Sequence, residues 1–165
     1  MANKDQIYVT MENATIGYKN FRGLEGAYNR AGAMNFCVFF DDRQQAQELY
    51  EQGFNVKKLD DPERDPYLQI KVAFGNYPPK ILLIQEYPNG KTKAVKITEE
   101  TVGMLDNTSM SNVDLTFRSY NYAVRGTEGK SAYLTEMYVT TPMSNLSTKY
   151  AKYEEMDFDE EDCPF

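Results

Sequence analysis

Hydrophobic residues along this chain recur mainly with a period of two. "YLQIKVAF" is the clearest case: Leu68, Ile70, Val72 and Phe74 fall on one side, and Tyr67, Gln69 and Lys71 on the other. That is the pattern of a strand with one buried face. "QIYVTM", "ATIGYKNF" and "MNFCVFF" are further β-like runs rich in β-branched and aromatic residues, the last apolar enough to be buried, and "NVKKL" reads as another strand. "KILLIQEY" and "KTKAVKI" flank "PNG", predicting a hairpin on an Asn-Gly turn. "NVDLTFRSYNYAVR" and "SAYLTEMYVTT" flank "GTEGK", predicting a longer one. Only "DDRQQAQELYEQG" has clear helical spacing, with Ala46, Leu49 and Tyr50 on one face, Asp41 or Asp42 as a cap and Gly53 as a stop. "TEETVGML" offers a short helical turn, while "RGLEGAYNRAGA" and "DDPERDP" read as loops.

These elements predict a mostly β fold over residues 1–142, an antiparallel barrel or sandwich with one main helix. An oligonucleotide-binding (OB) barrel, a closed sheet with an inserted helix, is one candidate; strand pattern does not separate it from other β-rich folds. Beyond Pro142 the alternation fades, so residues 143–165 read as a linker and disordered acidic tail. A chain of 165 residues can bury such a core without disulfides.

Charge alters the picture through its placement. The net charge of −7 alone argues against a nucleic-acid partner. Residues 154–165, however, hold seven acids and no Lys or Arg, so the tail carries the whole excess and residues 1–153 are neutral. Asymmetry of this kind marks an interaction tail. There is no His, which excludes Ser-His-Asp and Cys-His nucleophiles and His-ligated metals. Cys37 in "FCVFF" reads as a small buried hydrophobe and Cys163 lies in the tail, so no disulfide framework is expected and a reducing compartment fits. The longest apolar run is five residues and the N-terminus has no signal-peptide core, so a cytoplasmic protein without a membrane partner is expected.

Aromatics make up 13% of the chain, with thirteen Tyr, nine Phe and no Trp. They interleave with cations. In "RSYNYAVR", Arg118, Tyr120 and Tyr122 share a face opposite Val113, Leu115 and Phe117, and Arg125 lies near the turn. Tyr67 and Lys71 are on the polar side of their strand. "YKNFRGLEGAYNRAG" adds Tyr18, Lys19, Phe21, Arg22, Tyr28 and Arg30; "YPPKI" adds Tyr77 and Lys80; the second hairpin's turn adds Lys130. Rings for bases and cations for phosphates, together on one face, are what gripping single-stranded nucleic acid requires. Ordinary strand tyrosines beside solvated cations make the same pattern. Nothing in it suggests base-specific readout.

No cofactor and no metal are expected. Asp60, Asp61, Glu63 and Asp65 supply the oxygens that magnesium favours, and a magnesium-dependent nuclease on Asp60, Asp61 and Asp65 is the enzymatic alternative. Asp-Pro pairs are also ordinary turn formers, and no Lys or His general base is linked to them by spacing.

The tail ends "YEEMDFDEEDCPF". Its acids repel one another and cannot build a core, which leaves Phe158, Pro164 and Phe165 displayed. Pro164 restricts the backbone, and a terminal Phe carries its own α-carboxylate beside the ring. An apolar pocket rimmed by Arg or Lys would take both, with Asp159, Glu160, Glu161 and Asp162 steering the tail to a basic surface.

Here the chain resembles a known family. Bacterial single-stranded DNA-binding proteins end in a tip of the type Met-Asp-Phe-Asp-Asp-Asp-x-Pro-Phe. This chain has Met156, Asp157, Phe158, Asp159, Glu160, Glu161, Asp162, Cys163, Pro164 and Phe165 in the corresponding order, with Cys163 where that family usually has an aliphatic residue. The resemblance implies an OB-fold body, a tip that recruits replication, recombination and repair enzymes, and a tail that competes with DNA. The body lacks the bacterial members' Trp and their long linker. It looks more like the divergent single-stranded DNA-binding proteins encoded by bacteriophages, for which a monomer or dimer rather than a tetramer is expected. The combined expectation is a non-enzymatic protein of the host cytoplasm that binds single-stranded DNA. A DNA-mimicking or loader protein acting on a host DNA enzyme through its tail is the alternative, ahead of the nuclease.

Overall fold

The computed structural model describes residues 6–27, 29–144 and 146. Its elements are β1 (Tyr8–Met11), β2 (Thr15–Asn20), β3 (Met34–Phe39), α1 (Arg43–Glu51), β4 (Tyr67–Val72), β5 (Lys80–Glu86), β6 (Thr92–Ile97), a 3-10 helix (Val102–Asn107), β7 (Asn112–Val124) and β8 (Thr127–Pro142). The alternation in "YLQIKVAF" is realised in β4, where Leu68, Ile70 and Val72 are buried and Gln69 and Lys71 are exposed.

The strands form one sheet in the order β1-β7-β8-β4-β3-β2, with β5 added to β8 and β6 to β5. β8 organises it. One edge pairs antiparallel with β7 along the whole hairpin. The other edge carries two strands in succession, both parallel to it: β4 at Ala132 and Tyr133, then β5 from Glu136 to Pro142. A bulge makes this turn possible. Thr116 pairs with Glu136 but Phe117 pairs with Leu134, leaving Thr135 as the extra residue. The result is the expected mostly β, OB-fold-like architecture with one main helix, but as an open sheet in which β4 and β5 run parallel to β8 rather than as the expected antiparallel barrel.

The inner face gathers Phe36, Val38, Leu68, Ile70, Ile81, Leu83, Leu115, Phe117, Met137 and Val139, all at most 2% exposed. Helix α1 closes one side with Ala46 and Leu49, and its N-terminus is capped by Asp42, whose carboxylate accepts from the Gln44 and Gln45 amides. The 3-10 helix adds Val102 and Leu105. Lys19 ties β2 to it by donating to the Leu105 and Thr108 carbonyls at 3.1 and 3.3 Å. No helix among the described residues is long and apolar enough to cross a membrane.

Three local expectations change. "NVKKL" is not a strand: its segment makes only isolated bridges, Phe54 to Lys130 and Lys57 to Tyr67, and Lys58 turns the chain away at φ 65°. Tyr50 is 55% exposed, so the buried stripe of α1 is Ala46 and Leu49 alone. The second hairpin turns on Arg125 and Gly126, at φ 51° and 81°, rather than on "GTEGK"; the two positive angles suit a tight two-residue turn, and Thr127 to Lys130 join β8.

Candidate nucleic-acid interface

Residues paired across neighbouring strands point to the same side of a sheet. On the outer face, the registers link Tyr8 of β1 to Arg118 of β7, Arg118 to Tyr133 of β8, Tyr133 to Lys71 of β4, Lys71 to Asn35 of β3, and Asn35 to Asn20 of β2. One row of rings, cations and amides thus crosses six strands. Tyr133 is its centre: the Arg118 guanidinium lies 5.3 Å and the Lys71 ammonium 5.7 Å from its ring centroid. The Tyr120 ring meets it edge-on at 5.8 Å.

Tyr120 is 57% exposed. Tyr122, the next outward residue of β7, lies across Gly129, its cross-strand partner; a Cβ there would come within 2.5 Å of the Tyr122 hydroxyl. These rings border a cleft of about 420 Å³ whose other walls include Asn55, Lys57, Gln69, Lys71 and Lys130, and no acid. Among the described residues Lys57, Lys71 and Arg118 have no ion-pair partner.

A second ring cluster shares this face. Tyr67 pairs with Phe39, and the Tyr18 ring stands 5.6 Å from Phe39 and 5.5 Å from Tyr67. Tyr18 sits at a bulge in β2 with φ 47°, which turns its ring outward to 68% exposure. Gly17 leaves room for Phe39, since a Cβ would meet its ring at 2.8 Å. Lys57, bridged to Tyr67, adds a cation. Tyr67 and Lys71 are four strand residues apart, about 13 Å. Between the clusters Cys37 is 7% exposed, and burial pushes its thiol up to about 11.

The fold therefore brings together Tyr18, Tyr67, Lys71, Arg118, Tyr120 and Tyr122 from the sequence-predicted set. Phe21 is excluded from the interface: it is fully buried and stacked on Phe36 at 5.1 Å. Arg22 leans toward Asp106 at 3.9 Å, beside the 3-10 helix. Arg30 is exposed in the β2–β3 loop, which Asn29 holds by donating to the Leu24, Arg30 and Ala33 carbonyls. Tyr77 is 82% exposed in the β4–β5 loop, and Arg125 forms the hairpin tip. Lys130 borders the cleft, but its ammonium donates to the Gln52 carbonyl at 2.7 Å. Lys80 begins β5, paired with Glu136 of β8, with its ammonium 5.9 Å from the Tyr138 ring centroid. Tyr28 and the tip residues Phe158, Asp159, Glu160, Glu161, Asp162, Pro164 and Phe165 fall outside the described residues.

The acidic loop has a structural account. Arg43 donates to the Leu59, Asp61 and Arg64 carbonyls, so the loop wraps its guanidinium. Asp61 accepts from the Glu63 amide and lies 3.8 Å from Arg64. Among the described residues no group of three or more Cys, Asp or Glu side chains is gathered to hold a metal ion.

Residues 2–163 match the family described as "Putative phage ssDNA-binding domain". The chain belongs to that family. Solved structures of the single-stranded DNA-binding protein from bacteriophage Enc34 share the fold. A C-terminally truncated form aligns with a TM-score of 0.51 at 9% identity, over 87% of this chain and 94% of that one. The same protein in complex with single-stranded DNA gives 0.50 at 9% identity over 87% and 94%. A further structure of it gives 0.50 at 10% identity over 94% and 97%. No curated protein matches the chain.

Tyr133, Tyr8, Phe39 and Lys57 were not singled out by sequence. Tyr133 had a signal: in "SAYLTEMY" it alternates outward between Ala132 and Leu134, both buried. Lys57 had none, because its place beside Tyr67 depends on an isolated bridge.

Proposed function

We propose that this chain binds single-stranded DNA, without strong sequence preference, on the face centred on Tyr133. The cross-strand row of Tyr8, Arg118, Tyr133 and Lys71 carries this reading, because it alternates stacking surfaces with cations at neighbouring-strand spacing. Tyr120 and Tyr122 extend the stacking surface, and Lys57 adds a phosphate contact. Membership of a phage single-stranded DNA-binding family supports the same ligand. The role is non-enzymatic: the face holds and orders the strand during replication, recombination or repair in the host cytoplasm.

The division of labour we propose gives DNA binding to residues 1–142 and partner recruitment to the acidic segment within 143–165. Phe165 is the docking plug, its ring taken by an apolar pocket of the partner. The tail's acids compete with DNA for the basic face. Titration of labelled oligo-dT with the full chain and with residues 1–153, with and without magnesium, tests both parts. Tight binding by both, tighter for the truncation at low salt, is expected. Absence of binding favours a tail that acts on a host enzyme, and magnesium-dependent loss of intact oligonucleotide favours a nuclease. Phe165→Ala should weaken capture of a bacterial tip-binding repair enzyme by roughly tenfold while leaving oligo-dT binding unchanged. Capture equal to wild type would leave the acids alone as the docking element.

A further inference from the structure

Along its outer face β8 presents Ser131, Tyr133, Glu136, Tyr138 and Thr140 in turn, because the bulge at Thr135 preserves the facing of the strand. Glu136 therefore stands one outward step beyond Tyr133. Both carboxylate oxygens are held: Thr116 donates to one at 3.3 Å and the Tyr138 hydroxyl to the other at 3.1 Å. Thr116 is itself 2.9 Å from the Thr10 hydroxyl. None of these contacts carries positive charge, and among the described residues Glu136 has no ion-pair partner.

Past Glu136 lies another patch with the chemistry of the first. Lys80, the cross-strand partner of Glu136, sits over the Tyr138 ring. Tyr138 pairs with Leu82, and Leu82 with Lys96. Rings and cations thus continue along the sheet, with Glu136 as the acid met first from Tyr133 and Asp114, the β7 partner of Tyr138, beyond it. A strand following β8 outward from Tyr133 would have to carry its backbone past a carboxylate that forms no ion pair among the described residues, its cross-strand neighbour Lys80 resting on the Tyr138 ring instead.

We propose that Glu136 sets the edge of the single-stranded DNA footprint. Its carboxylate repels the approaching phosphate, confines the strand to the Tyr133 side, and leaves Lys80 and Tyr138 outside the site. This rests on the Tyr133 face being the DNA interface. The role is one of exclusion, so removing the charge strengthens binding, the opposite of losing a contact.

The experiment measures affinity of the full chain for oligo-dT of increasing length, and its salt dependence, for wild type, Glu136→Gln, Lys80→Gln and the double variant. Glutamine keeps one oxygen to accept from one of the two hydroxyls, and its amide N–H donates to the oxygen of the other. Glu136→Gln should bind roughly two- to fivefold more tightly, as expected for relief of one exposed like-charge contact. Full affinity should require a longer oligonucleotide. The salt slope should steepen by about 0.7, the increment for one more phosphate on a single strand. Lys80→Gln should leave wild-type binding unchanged and should cancel the gain in the Glu136→Gln background. A purely structural Glu136 would change neither slope nor footprint length. Unchanged or weaker binding by folded Glu136→Gln, with wild type binding normally, overturns the boundary alone; failure of wild type to bind oligo-dT overturns the underlying reading as well. If Glu136→Gln does not fold, Lys80→Gln still decides: loss of affinity in that variant places Lys80 inside the footprint and refutes the boundary, and unchanged affinity supports it.

Discussion

Replacing Tyr133 with alanine is the most direct test of the interface. The ring touches Arg118, Lys71 and Tyr120 at 5.3, 5.7 and 5.8 Å, so its loss removes a stacking surface and the platform on which two cations rest. A base stacked on an aromatic side chain contributes about 1–3 kcal/mol, which corresponds to a roughly five- to 150-fold weaker Kd on truncation. Each cation–ring contact at an exposed site adds about 0.5–1 kcal/mol of local order. Tyr133 is only half-buried on the outer face, so the cost to folding should be modest, about 1–2 kcal/mol. Tyr133→Phe should bind as wild type, since no described residue hydrogen-bonds the hydroxyl. Fluorescence anisotropy with labelled oligo-dT at two salt concentrations separates stacking from charge: Tyr133→Ala should weaken binding at both while leaving the salt slope nearly unchanged. A Tyr133→Ala protein that is folded by circular dichroism and binds within twofold of wild type would refute the stacking role.

The cations should give the complementary result: Lys71→Gln and Arg118→Gln should each flatten the salt slope by about 0.7, and an unchanged slope would remove that residue from the phosphate contacts. Gly129→Ala should displace the Tyr122 ring, which a Cβ would meet at 2.5 Å, and weaken oligo-dT binding; unaltered affinity would show that Tyr122 packs the hairpin without touching DNA. Cys37 gives a pH signature. Burial raises its pKa from 9.0 to about 11, so the folded thiol keeps a proton that the unfolded one releases. Stability present below pH 9 is then lost as pH rises toward 11, by roughly 2–3 kcal/mol relative to Cys37→Ala. Urea midpoints at pH 8 and pH 10.5 check this, and parallel profiles for the two proteins would refute it.

The strands were legible where one face is buried and the other wet, as in β4, because period-two alternation follows directly from that burial. The failures have local causes. "NVKKL" has strand-like residues, but its neighbours supply only single bridges, which no property of the segment itself reveals. Arg125 occupies a positive-φ turn position where Gly or Asn is the usual signal. Phe21 sits among cations and reads as exposed, yet a chain reversal tucks it onto Phe36 while the Asp106 carboxylate accepts its amide at 2.7 Å. The interface itself was half legible. Arg118, Tyr120 and Tyr122 share a face of one strand, so parity alone finds them. Their centre, Tyr133, takes its cations from β4 and β7, and the bulge at Thr135 breaks the alternation that would have shown it to be one outward residue in a longer row.

Net charge would have misdirected the reading because a ligand responds to local potential. The Debye length is about 8 Å at physiological ionic strength, so exposed charges further away than that are largely screened. Within that range of Tyr133 the cross-strand row supplies Arg118 and Lys71, and the adjoining cleft adds Lys57 and Lys130 without a single acid in its walls. Residues 1–153 are neutral in sum, so those cations are balanced by acids placed elsewhere. Asp60 and Asp61, for instance, line a separate cleft with Tyr50 and Val56 that shares no residue with the ring cleft. The fold separates charge that the composition cancels. Glu136 is the acid next to Tyr133 along the outer face of β8, and the same screening argument gives it weight: at one outward step from Tyr133, about 7 Å along a strand, it lies inside the Debye length and acts on any phosphate that passes.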